Sequence, residues 1–151
     1  MRRMFLLAGT MAALPLAAAL AQPAPQMTPE QVVAARQSAY LLSAASLVGI
    51  KGTIDAGGDL KGIAFPARAM ARWARTLPTM FPAGSNVPPT HARPEVWTNR
   101  ADFEAKAAAY AAAATRLAEL APGNDRAAIS AQFTELRNSC QACHDLYREA
   151  Q

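Results

Sequence analysis

Asp125–Glu149 reads DRAAISAQFTELRNSCQACHDLYRE, and its apolar positions decide the fold. Ile129, Phe133, Leu136, Cys140, Cys143 and Tyr147 follow one another at steps of four, three, four, three and four residues. That spacing keeps all six side chains on one stripe of an α-helix, as in the seam of a helix packed lengthwise on others. Asn124 or Asp125 is placed to cap this helix, which is expected to run to about Glu149. Both cysteines of the chain lie in the seam.

Upstream, the same logic yields three more helices. Asn99 can cap one that carries Asp102 in its first turn, continues to about Leu120 and stops at Pro122-Gly123. Phe103, Tyr110 and Leu117 recur on it every seven residues. Another covers roughly Phe65 to Leu77, with Met70, Trp73 and Leu77 on one face. Pro66 belongs in its first turn, since an interior proline costs about 3 kcal/mol. The first helix starts at Thr28-Pro29-Glu30-Gln31, where Thr28 caps, Pro29 takes the first position and Gln31 completes a capping box. It is expected to run from Pro29 to Ile50 and to end at Gly49–Gly52, before a turn over Asp55–Gly58. Val33, Tyr40 and Leu47 share one of its faces, with Arg36 one turn before Tyr40. Between the second and third helices, Pro78, Pro82, Gly84, Pro88, Pro89 and Pro94 leave Pro78–Thr98 no room for a helix. A loop this long in a compact domain has a task, such as covering one side of a bound group. The composition is rich in alanine and poor in β-branched residues, and no useful stretch alternates at period two. The fold class is therefore all-α, an antiparallel four-helix bundle.

The N-terminus stands apart from this pattern. Arg2 and Arg3 precede an apolar run from Met4 to Leu20, followed by the small-residue site Ala19-Leu20-Ala21 and the spacer Gln22-Pro23-Ala24-Pro25. This is the pattern of a secretory signal peptide over residues 1–21, cleaved after Ala21, with the bundle domain over 22–151. The run is short for a membrane span and is interrupted by Gly9 and Pro15. Cleavage removes 21 of the 151 residues and lowers the formal charge from +4 to +2, since only Arg2 and Arg3 are lost. So small a bias gives no footing for nucleic acid.

Cys140-Gln141-Ala142-Cys143-His144 has the spacing of a haem c attachment site. On a helix, positions three apart project to one side, so two thiols can meet the two vinyl groups on one porphyrin edge. His144, one turn after Cys140, can offer a neutral nitrogen to the iron. A disulfide closing so short a loop would stabilise little. A redox dithiol would open a helix after a strand, and no strand pattern exists. Zinc would need four ligands, of which only His91 remains as a candidate beyond this motif.

With these residues in view, the chain resembles the cytochrome c′ family. The last segment has the family's Cys-x-x-Cys-His-x-x-Tyr-Arg pattern from Cys140 to Arg148. Phe81–Ser85 and Arg93–Trp97 look like its loop segments, and Arg36–Tyr40 like its haem-contacting stretch on the first helix. The resemblance implies one covalently bound haem c, with its iron, near the C-terminal helix. It makes His144 the proximal ligand, pairs Arg36 with a haem propionate, sets Tyr40 on the distal side and brings the charge of Arg148 near the proximal imidazole. Tyr147 is assigned to packing. Low-spin relatives carry a methionine ligand where this chain has Tyr40, so a five-coordinate, high-spin haem is expected. Met70 or Met80 would have to reach in for the six-coordinate alternative. The functional expectation is a periplasmic monohaem cytochrome that carries single electrons or binds small diatomic gases, NO and CO. No enzymatic role is expected; the alternative, a haem enzyme converting NO or peroxide, would want a distal acid or base, and no histidine is offered there. Redox partner proteins leave no mark in the sequence. A homodimer through the outer faces of the first two helices is implied by the resemblance alone.

Overall fold

The computed structural model of the protein describes residues 26–150. The expected signal peptide and its cleavage point lie outside them. Four long helices form the bundle: α1 (Pro29–Asp55), α2 (Ala64–Thr76), α4 (Arg100–Leu120) and α5 (Arg126–Tyr147). A single short helix, α3 (Glu95–Thr98), interrupts the long loop, contrary to the expectation of none. Single 3₁₀ turns flank α2 at Leu60–Ile63 and Leu77–Met80 and follow α4 at Ala121–Gly123.

The starts of α1 and α5 form as the sequence implies. Gln31 N donates to Thr28 Oγ1 at 3.3 Å and Thr28 N donates to Gln31 Oε1 at 2.8 Å, closing the capping box. Asp125 caps α5, accepting from the amides of Ala127 and Ala128 at 3.0 and 3.1 Å. Asn124, in the left-handed region at φ 54°, uses its side chain instead to accept from Leu60 N at 2.9 Å.

Two boundaries and one cap differ. α1 continues through Gly49 and Gly52 to Asp55, where Gly57 at φ +71° turns the chain away. An interior glycine costs about 1 kcal/mol. Here Ile50 is fully buried, Ile54 packs on the core, and Arg126 donates to the carbonyls of Ile54 and Gly58 beyond them. Asn99 occupies the N-cap position of α4, but its side chain makes no capping bond. Its carbonyl accepts from Phe103 N at 3.1 Å instead. α5 ends at Tyr147 rather than near Glu149, because the loop takes over its backbone groups. Arg93 N donates to the Tyr147 carbonyl, and Glu149 N to that of His91, leaving Arg148 extended beside Ala92.

Buried alanines set the helix spacing. Ala67, Ala71 and Ala74 of α2 meet Ala111, Ala114 and Ala118 of α4, so these axes approach closely. α4 also packs along α5, whereas α1 barely touches α5. A deep cavity lies between those last two helices.

Candidate haem site

The cavity encloses about 560 Å³. Cys140, Cys143 and His144 line it from α5, Arg36 and Tyr40 from α1, and Arg148 from just beyond α5, so all six residues singled out in the sequence reach one space. The rest of its wall is mainly apolar, including Leu47, Met70, Leu77 and Phe103.

The two cysteines form no disulfide with each other and are half-buried. Burial pushes the Cys140 thiol up, and pushes Cys143 up to about 11 with the neighbouring Cys140 adding to it. These are protonated thiols in apolar surroundings, unlike the low-pKa nucleophile of a redox dithiol. Among the described residues, no three His, Cys, Asp or Glu side chains converge as ligands for a bare metal ion. His91 also lines the cavity, although no local spacing ties it to the Cys140–His144 motif. Burial, and next the charge of Arg148, hold the His144 pKa below its ordinary value. Its imidazole is therefore neutral at pH 7, the form that binds iron.

Arg36 tests whether the cavity suits a haem. It is only 2% exposed, which rules out a solvated surface residue. Its Nη1 donates to Met80 O at 3.2 Å and Ser85 Oγ at 2.9 Å, and its Nη2 to Ser85 O at 2.8 Å and Thr90 Oγ1 at 2.7 Å. The guanidinium also lies over the Phe81 ring, 4.2 Å from its centroid. All these partners are neutral, and burial lowers its pKa. A buried cation without a counter-charge is costly. One on the wall of an apolar cavity is matched by a flat apolar ligand that carries carboxylates. A porphyrin with propionates has that chemistry. Four of the five guanidinium donors are spent on the loop, so Nε–H and the net charge are what remain for such a carboxylate.

Two features escaped the sequence reading. One is this clamp of Arg36 on the loop, joined by Gln37 Nε2 donating to Pro89 O at 2.8 Å. A run of prolines offers few amide donors, and that deficit was the only available hint. The other is Tyr147, whose hydroxyl donates to Asp102 Oδ2 at 2.6 Å, besides its ring packing on Phe103. It is thus more than a packing residue. Forty-five positions separate the pair, so no local spacing could show it.

Bundles that carry haem on their C-terminal helix form one class of c-type cytochrome, and the cavity against α5 puts the chain in that class. The sequence profile of cytochrome c′ matches residues 31–148, and the chain belongs to the cytochrome c′ family. It is 32% identical over 124 residues to the cytochrome c′ of Alcaligenes xylosoxydans xylosoxydans, covering 80% of this chain and 95% of that protein. A nitric oxide complex of a variant cytochrome c′ from Alcaligenes xylosoxidans superposes with a TM-score of 0.75 at 27% identity, covering 84% of this chain and all of that one. A carbon monoxide-bound variant from the same organism gives 0.74 at 28%, covering 82% and 98%. The cofactor of the family, and so of this chain, is a covalently attached haem c with its iron.

Proposed function

We propose that the chain is an exported, monohaem cytochrome of the periplasm with five-coordinate iron, which binds NO and CO and passes single electrons. The observation that carries this reading is the convergence of Cys140, Cys143 and His144 with the unpaired Arg36 charge on one apolar cavity. When bound, the haem would supply a one-electron iron couple and an iron site for a small gas. The protein's own groups would do the rest. Cys140 and Cys143 would hold the porphyrin edge as thioethers, His144 would hold the iron, and Arg36 would meet a propionate. Arg148 sets positive charge beside the proximal imidazole. Tyr40 stands on the α1 wall, where burial raises its pKa and keeps the phenol neutral, a poor iron ligand and a weak acid. That favours gas binding over turnover. The NO and CO complexes of the Alcaligenes variants support the same ligands here.

A second reading has one observation behind it. Met70 lines the cavity from α2, so its sulfur is the candidate for a sixth ligand. Absorption spectra of the oxidised and reduced protein, with and without CO, separate the two. The five-coordinate site gives a high-spin reduced spectrum that shifts on adding CO. A low-spin spectrum indifferent to CO would favour Met70, and a colourless protein with two titratable thiols would end both readings.

Residues 1–21 are taken as the export signal, cleaved after Ala21. The domain that remains also offers a pairing surface. Leu41, Leu42 and Val48 of α1 and Phe65 of α2 are each more than 70% exposed. Such a patch suits a second copy of the chain. Val48→Glu together with Phe65→Glu, neither of which lines the cavity, should then shift sedimentation from dimer to monomer while leaving the haem spectrum unchanged. A wild-type protein that sediments as a monomer would remove the dimer from the proposal.

A further inference from the structure

Tyr40 lies at the cavity wall, packed against the cluster of Leu77, Phe81 and Phe103. Its hydroxyl has no hydrogen-bond partner among the described residues, although its ring is well covered. The ring meets Trp73 of α2 edge to face, with centroids 5.5 Å apart and planes at 87°. Trp73 is itself fixed by both halves of the core, packing against the clusters that contain Met70 and Ala74 on one side and Leu77 and Phe103 on the other. Its Nε1 is buried without an acceptor.

This inference rests on the reading of Tyr40 as the shield of the gas-binding side. We propose that Trp73 is the positioning residue for that shield: its edge fixes the Tyr40 ring at the cavity wall and thereby sets how fast a diatomic gas enters. Without the indole, the Tyr40 side chain regains rotamers that uncover the cavity.

The test is a double-mutant cycle on the holoprotein with Tyr40→Ala, Trp73→Ala and the pair, followed by CO association. An edge-to-face contact of ordinary strength corresponds to about a tenfold change in rate. Each single variant should therefore associate with CO about tenfold faster, and the double variant no faster than Tyr40→Ala alone. Trp73→Phe keeps an aromatic edge and should stay close to wild type. Denaturant midpoints of the same proteins give a readout free of gas, in which the two losses should be less than additive. Trp73→Leu replaces the alanine variant in both arms if that one does not fold. If Tyr40→Ala leaves the CO rate unchanged, the shield itself is wrong and the proposal goes with it. If Tyr40→Ala accelerates binding while Trp73→Ala does not, or if the two effects multiply, Tyr40 remains a shield and the role given to Trp73 is overturned.

Discussion

At the scale of single residues, the polar groups around the cavity work in pairs across the sequence. Tyr147 shows what such a pair contributes. It is buried at the end of the haem-bearing helix, and its hydroxyl reaches the Asp102 carboxylate in the first turn of α4 at 2.6 Å. Burial first, and then the Asp102 carboxylate, push its pKa from 10 to about 12. The fold thus favours the protonated phenol. Its contribution is complete below pH 10 and is lost as the pH climbs through 12. Tyr147→Phe should lower unfolding stability by about 1–2 kcal/mol at pH 7, since a hydrogen bond to a charged acceptor disappears while Asp102 remains partly solvated. The same variant should lose less stability than wild type between pH 10 and 12, with Tyr110, also raised by burial, retaining the remainder. Denaturant titrations at neutral and alkaline pH measure both effects. Equal alkaline losses in the two proteins would show that Tyr147 does not titrate with unfolding.

Among the elements, the starts of α1 and α5 and the ends of α2 and α4 were readable, but the ends of α1 and α5 were not, for a physical reason. A start is fixed by residues within one turn, as Thr28 with Gln31 and Asp125 with the amides after it. The end of α1 is fixed by Arg126, which caps Ile54 O from 72 residues away, and the end of α5 by the strand-like pairing of Arg148 with Ala92. Neither lies within reach of local spacing. The glycines of α1 were therefore given the wrong role, and substitution tells them apart. Gly52 lies inside the helix with open space around its Cβ position, whereas Gly57 sits at φ +71°. Gly52→Ala should stabilise the protein by about 0.5–1 kcal/mol, through helix propensity and a less flexible unfolded chain. Gly57→Ala should destabilise it by about 1 kcal/mol, because an L side chain is strained in the left-handed region. Thermal unfolding resolves the two signs. Two shifts of the same sign would mean that Gly57 does not end the helix in solution.

For the molecule as a whole, the bundle was legible because its apolar stripes repeat along each helix. The candidate site was legible because a contiguous motif, Cys140 to His144, carries its chemistry. The position of the cavity was not. It arises where α1 stands off from α5, while buried alanines draw α2 and α4 together and α4 packs along α5. This asymmetry makes loss of the haem an uneven event. By the cost of apolar cavities, a space of about 560 Å³ left between the helices is worth on the order of 10 kcal/mol as an upper limit, reduced by collapse and by water. That is comparable with the whole stability of a domain this size. The cost falls on α1, the least packed of the four long helices, and on the loop that Arg36 holds. Replacing both Cys140 and Cys143 by serine, which denies the haem its covalent anchors, should lower the thermal midpoint sharply. Hydrogen exchange should then lose protection first in α1 and in residues 81–93, with α2, α4 and the first half of α5 protected longest. If the haem-free protein melted at the same temperature as the holoprotein, or opened uniformly along all four helices, α1 would have to be held by something other than the cofactor.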